Sequence, residues 1–360
     1  MLKRGDAAAA GFDPQKLSDA VRFAQTHESQ MDRDIGQALQ GGHFSEPLPD
    51  GEIIGPTKPR GNPSGMILRR GKVVSEWGPT DATDMTFSVT KSYLSICAGL
   101  AYDDDLLRLD EPCIETIGDL FDTEQNRRIT WRHLLTNSSE WQGTLWGKED
   151  RIDHYRSLET QPGATSQKGT LRPLQAAGSY WEYNDIRVNV LAYALMLLVE
   201  KPLPQLLRER IMRPIGASDD WEWHGYGVNS TVRLNDRDCE SVSGGAHWGG
   251  GLFISTEDHA RVAQLMAESG RWGTQQLISQ EWIERCRTPC QLNRSYGLLW
   301  WLNVDGNHMP SAPRTSYFAL GVGRNVIWID PQLEIVAVVR WIDRDNCDGF
   351  CGKVMGALRP

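Results

Sequence analysis

The order of strand-forming and helix-forming segments restricts the fold of this chain more than any other feature of its sequence. Residues 65–78 contain two short β-prone runs on either side of Arg70-Gly71, which predicts a hairpin. The pattern is helical from residue 86 onward and returns to strands over residues 296–303 and 325–341. Strands near both ends with helices between them predict one antiparallel sheet that both termini build, with a helical block inserted into it.

Apolar periodicity and capping residues locate the helices. They are predicted over residues 11–29, 88–103, 130–137, 185–200, 204–212 and 256–269. Residues 34–64 are rich in Gly and Pro and have no sustained period, so we expect a long surface loop there.

This organisation predicts an α/β (α+β) fold in which helices flank the antiparallel sheet. Residues 1–82 and 243–360 would form the sheet domain, and residues 83–242 an inserted all-helical domain. A chain of 360 residues exceeds the roughly 250 to 300 residues at which single cores stop growing, which agrees with two domains. Ligand sites favour domain interfaces, so we expect the active site in the cleft between them.

Ser88 and Lys91 form the only S-x-x-K sequence of the chain, at the start of a predicted helix. A spacing of three places the hydroxyl and the amine on one face of that helix. A serine hydroxyl needs a neighbouring base to become a nucleophile, and a partly desolvated amine near a helix N-terminus gives up its proton more readily. The pair therefore predicts a nucleophile and its base. An N-cap serine beside a surface lysine is the structural alternative.

Several motifs in the same order resemble those of the serine β-lactamase and penicillin-binding-protein superfamily, in its class C and esterase branch. The branch includes carboxylesterases and 6-aminohexanoate-dimer hydrolases. The motifs are the hairpin of residues 65–78, residues 87–92, 107–112 and 129–139, Tyr183-Asn184-Asp185, and residues 250–258. The resemblance implies the β-lactamase/transpeptidase fold and hydrolysis through an acyl-enzyme.

The resemblance also implies a role for each catalytic residue. Ser88 would attack the substrate carbonyl and become acylated, while Lys91 supports its deprotonation. Tyr183 would carry protons to the leaving group and later to water. The amides of Ser88 and Val322 would form the oxyanion hole. A buried packing tyrosine is the alternative for Tyr183.

Two motifs depart from the pattern of the family. Asp185 stands where the second motif normally ends in Asn, and a carboxylate cannot donate to a substrate carbonyl. An anion there would also favour the ammonium form of Lys91 and shift the base role toward Tyr183. Ala319-Leu320-Gly321 stands where the third motif usually has a cation and a hydroxyl, although Gly321 still permits close approach to an acyl group. These changes argue against β-lactamase or peptidoglycan specificity.

Three further residues are candidates for substrate contact. Arg324 would be a substitute anion site or a partner of Asp185, with an exposed structural arginine as the alternative. His247 and Trp248 lie in the Gly-rich turn of residues 243–251, and such turns bring side chains close to a ligand. A structural histidine is the alternative for His247.

Composition excludes several classes of partner. The net charge is −9 without a basic cluster, which argues against nucleic acid and anionic membranes. No apolar run approaches the roughly 20 residues of a membrane span, and the N-terminus is too polar for a secretory leader. We therefore expect a cytoplasmic protein, or one whose leader has been removed.

Tryptophan and cysteine are the two residue types whose placement needs explanation. Of 14 tryptophans, several lie in polar stretches, where they would line a cleft or fill a core: Trp141, Trp146, Trp181 and Trp248. The seven cysteines include two C-x-x-x-C pairs, Cys286 with Cys290 and Cys347 with Cys351. Four thiolates are able to bind zinc, but this spacing is not that of a knuckle or a ribbon, so we expect reduced, partly buried thiols.

Together these observations predict a serine hydrolase that cleaves a small carboxylic ester or amide through an acyl-enzyme on Ser88. No metal or organic cofactor is expected. The alternatives are a β-lactamase or D-amino-acid peptidase, a transacylase, and a non-catalytic homologue that binds an acyl ligand. The sequence does not predict the oligomeric state.

Overall fold

The computed structural model describes residues 2–41, 46–158 and 167–359. Helices α1 to α10 are, in order, Pro14–Thr26, Ile35–Gln40, Val89–Asp103, Ile114–Ile117, Trp131–Leu135, Asp185–Leu198, Leu203–Leu207, Thr256–Ala267, Gln280–Cys286 and Cys347–Gly356. Strands β1 to β16 are, in order, Lys3–Arg4, Ser64–Arg69, Lys72–Trp77, Thr83–Met85, Thr144–Leu145, Lys148–Glu149, Glu222–His224, Thr231–Leu234, Arg237–Glu240, Gly251–Ser255, Arg271–Trp272, Gln275–Gln276, Trp301–Leu302, Tyr317–Gly321, Asn325–Asp330 and Ile335–Arg340.

The main sheet joins the two ends of the chain. Its strand order is β1-β3-β2-β16-β15-β14-β13, and every neighbouring pair is antiparallel except β1 with β3. Strand β2 from the first part of the chain pairs with β16 from the last part, so that Met66 lies opposite Val338. All six residues of β15 and of β16 are buried, because helices cover both faces of the sheet. The predicted antiparallel sheet built from both termini is confirmed.

The hairpin of β2 and β3 turns at the dipeptide that the sequence indicated. Arg70 and Gly71 have φ angles of 49° and 70°. Two consecutive positive φ angles are typical of the tight turns whose twist matches that of paired strands.

The inserted block contains α3 to α7, with α3 and α6 packed against each other at its centre. It is not made of helices alone, because the hairpins β5–β6 and β8–β9 lie within it. In addition, β4 and β7 pair with β10 in a three-stranded sheet that crosses the expected boundaries at residues 82 and 243. The domain limits therefore stay a prediction.

Several elements were not predicted. Helix α2 lies in the segment expected to be a surface loop, where Asp34 caps it and Ile35 and Leu39 are buried. Helix α10 covers one face of the sheet with a buried stripe that includes Cys347 and Cys351. Helix α2 has six residues and α10 has ten, and the position of both helices depends on packing rather than on local pattern.

Among the described residues, no single helix is long and apolar enough to cross a membrane. One bent pair, Asp185–Leu198 with Leu203–Met212, reaches that length and composition only when its two helices are taken together. Helix α6, the first of the pair, is mostly buried inside the protein.

Strand β14 ends beside the start of α3. A Cβ atom on Gly321 would lie 2.2 Å from the carbonyl oxygen of Thr86, so the two backbones are in direct contact there. This contact brings the edge of the main sheet to the residues that precede Ser88, and it determines where the active site forms.

Candidate active site

Ser88 follows a backbone turn that exposes its hydroxyl. Phe87 is fully buried and has a φ of 50°, a left-handed conformation that non-glycine residues adopt rarely. The amide of Thr86 donates to the carbonyl of Leu252 at 3.0 Å, which fixes the backbone before the turn. Ser88 stands at the N-cap of α3, but its hydroxyl makes no capping hydrogen bond. The alternative of a helix-capping serine is therefore wrong.

Lys91 is buried rather than exposed. Its side chain is 1% exposed, and its Nζ lies 2.8 Å from Ser88 Oγ. The same Nζ lies 2.5 Å from Oδ1 of Asp185, which begins α6. The alternative of a surface lysine is wrong, and the predicted pair is brought together.

Asp185 is surrounded by cationic groups. Besides Lys91, its carboxylate contacts the Arg156 guanidinium, and its Oδ2 lies 2.8 Å from His247 Nδ1. Burial by itself would raise the pKa of Asp185, but the charges of Lys91 and Arg156 and the hydrogen bond to His247 hold it well below its usual range. Its amide donates to Asp153 Oδ2 at 2.7 Å. Asp185 is therefore a fixed, ionised carboxylate.

A second carboxylate lies on the far side of His247. The Nε2 atom of His247 is 2.7 Å from Glu46 Oε1. Burial opposes ionisation of Glu46, but the hydrogen bond and charge of His247 and the charge of Lys168 lower the pKa of Glu46 overall. The two ring nitrogens of His247 therefore each contact a carboxylate oxygen, and the ring connects Asp185 to Glu46.

In the part of the chain that the structure describes, Glu46, Asp153 and His247 have ligand atoms close enough together to bind a metal ion. The ammonium group of Lys168 already contacts both Glu46 and Asp153. A cation of the protein thus neutralises this group. The cysteines of the two C-x-x-x-C pairs do not belong to it.

Buried ion pairs anchor the segment that carries Tyr183 and Asp185. Arg172 binds Glu140 with both terminal nitrogens at 2.6 Å and Glu182 at 2.7 Å. Arg187 on α6 also binds Glu140, at 2.7 Å. These charges are buried and paired, so removing one partner would leave the others unpaired in the core. The network fixes the chain immediately before and after the second motif.

Tyr183 contacts Lys91 through its ring. The Nζ of Lys91 lies 4.6 Å from the ring centroid, and Arg156 lies over the same ring at 5.2 Å. Tyr183 is 3% exposed and stacks on Trp301. The hydrogen bonds among the described residues include none from its hydroxyl. The structure thus brings Tyr183 to the site, and its proton-transfer role stays a prediction.

The two amides expected to form the oxyanion hole lie on either side of the contact between β14 and α3. Within the described chain, neither the Ser88 amide nor the Val322 amide has a hydrogen-bond acceptor. Val322 follows Gly321, whose backbone packs against Thr86. Unpaired amides at this position are available to a developing oxyanion.

Gly245 leaves room for the ion pair of Lys91 and Asp185. A Cβ atom at this position would lie 1.9 Å from Asp185 Oδ1 and 2.6 Å from Lys91 Nζ. No side chain fits there unless the pair moves. The Gly-rich turn that the sequence indicated therefore acts on the site through Gly245 and His247.

Other predicted contacts differ from expectation. Trp248 is 1% exposed and packs against the ring of His247 at 4.3 Å, so it supports that ring from within the core.

Arg324 lies in the turn after β14 and is not among the partners of Asp185, whose oxygens contact Lys91, Arg156 and His247. Arg324 is half-buried, so the alternative of an exposed arginine is wrong.

Sequence reasoning missed four charged residues of the site: Glu46, Asp153, Arg156 and Lys168. Asp153 ends a short 3-10 helix and the other three lie in loops or turns, and only tertiary contacts reveal most of their partners. The spacing of three between Asp153 and Arg156, which form a 3.2 Å ion pair, is the one local signal that was available.

Comparison with known proteins gives a family. The family model described as Beta-lactamase matches residues 64–341 of this chain. A protein of Escherichia coli O157:H7 with the provisional name D-alanyl-D-alanine carboxypeptidase is 24% identical over 195 residues. That match covers 45% of each protein, so the chain spans less than half the length of this curated relative.

Solved structures share the fold. EstCE1, described as a hydrolase with promiscuous acyltransferase activity, has a TM-score of 0.62 and 15% identity, with 96% of this chain and 99% of that chain covered. A Bacillus anthracis protein provisionally named 6-aminohexanoate-dimer hydrolase has a TM-score of 0.54 and 15% identity, with 77% and 73% covered. The predicted resemblance and fold class are confirmed.

Gly245→Ala should lower kcat/KM for a chromogenic ester by about 10²-fold or more, because the added methyl displaces a group in the proton-transfer machinery. Gly356→Ala is the matched control, since a Cβ atom there meets nothing within 4 Å. Steady-state kinetics of both variants provide the measurement, and near wild-type activity in Gly245→Ala would contradict the tight fit of the ion pair against this glycine.

Asp185→Asn should destabilise the protein by about 3–5 kcal/mol at pH 7, because Lys91 and Arg156 lose a buried anion. The pKa of Asp185 is lowered on folding, so its contribution is complete above the usual value of about 3.9 and declines as the pH falls below it. The stability gap between wild type and variant should therefore narrow from pH 7 to pH 3.

Urea unfolding at several pH values between 7 and 3 measures the difference in unfolding free energy between wild type and Asp185→Asn. Asp122→Asn serves as control, because Asp122 is 59% exposed in its pair with Arg127 and should change stability by less than about 1 kcal/mol. A gap for Asp185→Asn that does not change with pH would mean that the carboxylate is not ionised in the folded protein.

Proposed function

This chain belongs to the beta-lactamase family of serine hydrolases, and on that premise we propose that it cleaves carboxylic esters or amides through an acyl-enzyme on Ser88. The observation that carries the proposal is the 2.8 Å contact of buried Lys91 Nζ with Ser88 Oγ. The hydroxyl makes no capping bond and Ser88 is partly exposed, so a substrate carbonyl is able to reach it.

The first half of the reaction forms the acyl-enzyme. Ser88 Oγ attacks the substrate carbonyl carbon and loses its proton, while the amides of Ser88 and Val322 stabilise the oxyanion. The tetrahedral intermediate then collapses, the bond to the leaving group breaks, and the leaving group receives a proton. In the second half, water attacks the acyl carbon and regenerates the Ser88 hydroxyl.

The contacts of Asp185 bear on which residue takes the proton of the Ser88 hydroxyl. Because Lys91 Nζ donates to both Asp185 Oδ1 and Ser88 Oγ, we assign Lys91 the role of binding Ser88 Oγ and Tyr183 the role of the base. Lys91 Nζ lies 4.6 Å from the centroid of the Tyr183 ring, so the two residues are in contact beside Ser88. Catalytic hydrogen bonds often form only when substrate is bound, which is when we expect the Tyr183 hydroxyl to approach Ser88.

Neutral substrates fit this site better than β-lactams. Ala319 and Leu320 are buried in β14 and offer neither cation nor hydroxyl to a substrate carboxylate. Asp185 of the second motif is only an acceptor and is already bound by Lys91, Arg156 and His247, so it offers no hydrogen-bond donor to such a carboxylate. An ester with an apolar acyl group has neither difficulty, so we propose esters as the preferred substrates.

Ser88→Ala should abolish ester turnover. Lys91→Ala and Tyr183→Phe should each lower kcat by about 10²-fold or more, and the double variant should lose little beyond that because members of one relay fail together. Intact-mass analysis and peptide mapping should locate a trapped acyl group on Ser88. An adduct on another residue would refute the nucleophile, and near wild-type turnover in Tyr183→Phe would refute the base.

Hydrolysis of p-nitrophenyl butyrate and of nitrocefin, measured side by side, tests the substrate class. Two missing charge-assisted hydrogen bonds of about 1.5–3 kcal/mol each should lower kcat/KM for β-lactams by about three orders of magnitude relative to a dedicated β-lactamase. We expect kcat/KM to be higher for the ester. A nitrocefin value equal to or above that of the ester would favour a β-lactamase.

Two further arms of the same assay measure peptidase activity and acyl transfer. A D-alanyl-D-alanine peptide tests the activity in the name of the E. coli relative, and added primary alcohols test the acyl transfer in the description of EstCE1. Ester formation in place of acid would identify a transacylase, because an alcohol then replaces water as the acceptor.

A further inference from the structure

A group of aromatic rings extends outward from the catalytic residues. We call this group the aromatic wall, and its members are Trp181, Tyr183, Tyr296, Trp301 and His308. Trp301 is central, since its ring centroid lies 5.7 Å from that of Tyr183, 4.9 Å from Tyr296 and 5.0 Å from His308. Trp181 forms T-shaped pairs with Tyr296 and Trp301, and its ring centroid lies 5.6 Å and 6.3 Å from theirs.

The aromatic wall is attached firmly to the catalytic helix. Ser92 Oγ, one residue after Lys91, donates to the carbonyl of Leu299 at 2.9 Å. Trp301 lies on β13, the edge strand of the main sheet, where it pairs with Phe318 of β14. The same strand β14 ends at Gly321 beside the nucleophile. The rings thus have a fixed position relative to Ser88.

The aromatic wall has a buried back and an open face. Tyr183 and Tyr296 are 3% and 1% exposed, whereas Trp181, Trp301 and His308 are partly exposed. Burial and the charges of Arg324 and Arg344 lower the pKa of His308 to about 4, so its ring is uncharged at neutral pH. The rings of the open face therefore carry no charge of their own, and covering them with a ligand would remove apolar surface from water.

Most tryptophans of this protein differ from those of the aromatic wall. The indoles of Trp300 and Trp328 are 1% exposed and lie inside the hydrophobic core, which is the ordinary place for such a residue. Trp181 and Trp301 are instead partly exposed and contact Tyr183, which matches the predominantly apolar lining of a small-molecule site.

We propose that the aromatic wall binds the acyl group of the substrate, which selects esters with aromatic or medium-chain acyl groups over acetates. The proposal rests on the proposed function, because it names the substrate class of the same site. The acyl group is the part of the substrate that stays attached to Ser88 throughout the reaction. Tyr183 contacts Lys91, and Trp301 stacks on Tyr183, so ring contacts connect the residue that binds Ser88 Oγ to Trp301.

The test compares p-nitrophenyl acetate, butyrate, hexanoate and octanoate, which share one leaving group. For the wild type, kcat/KM should rise about fourfold for each methylene that the aromatic wall buries. Trp301→Ala should lower the octanoate-to-acetate ratio about tenfold or more, and Trp301→Phe should retain most of it because a ring remains. The ratio is internal to each protein, so partial misfolding does not change it.

Trp272→Ala is the matched control. Trp272 is also partly exposed and packs on the edge of the core, but it lies in the β11–β12 hairpin away from the site. The variant should keep the wild-type ratio. An equal ratio in wild type and Trp301→Ala would overturn the proposal, and so would a wild-type kcat/KM that does not rise from acetate to octanoate.

A binding measurement separates this proposal from the proposed function. Calorimetric titration of Ser88→Ala with methyl hexanoate should give measurable binding, which the additional Trp301→Ala change weakens about tenfold. Absence of wild-type turnover with binding intact would refute the hydrolase and leave the aromatic wall supported. Turnover without any effect of Trp301 on binding or on the chain-length ratio would refute the acyl site alone.

Discussion

The buried ion pair between Lys91 and Asp185 is the interaction on which the rest of the site depends. It joins α3 to α6 across 94 residues of sequence, with side chains 1% and 2% exposed. Removing one partner of such a pair costs about 3–5 kcal/mol, because the other charge is then buried alone. The two helices are therefore held in the geometry that directs Lys91 at Ser88, and Gly245 lacks a side chain where the pair needs the space.

The carboxylate of Asp185 also accounts for the charged residues around it. An asparagine would need no compensating cation, whereas a buried carboxylate requires hydrogen bonds and positive partners. Arg156 and His247 supply them, and His247 in turn contacts Glu46. The change of one residue type within a family motif is thus accompanied by a buried charge network. The network contacts Lys91 through Asp185, and the aromatic wall contacts Lys91 through Tyr183.

Local patterns in the sequence predicted the elements whose geometry depends on neighbours within a few residues. The hairpin at Arg70-Gly71 and the helix that begins after Ser88 are of this kind. Motif order added Tyr183 and Asp185, because the resemblance transfers positions that no local pattern connects. Helix α2 was not predicted, since its segment is rich in Gly and Pro and buries only Ile35 and Leu39. Trp301 was not among the predicted site residues, because its two-residue strand has no sequence pattern that indicates its contact with the Tyr183 ring.

The sequence by itself determined that a serine and a lysine share one face of a helix, since a spacing of three fixes that relation in any α-helix. It did not determine whether the hydroxyl caps the helix or whether the amine points to solvent. Only the tertiary structure decided both, by burying Lys91 against Asp185 and leaving the Ser88 hydroxyl free of the cap. It also brought His247 into contact with Glu46, 201 residues away in the sequence, and with Asp185, 62 residues away. Contacts over such distances arise from the packing of elements and have no periodic or local signature in the chain.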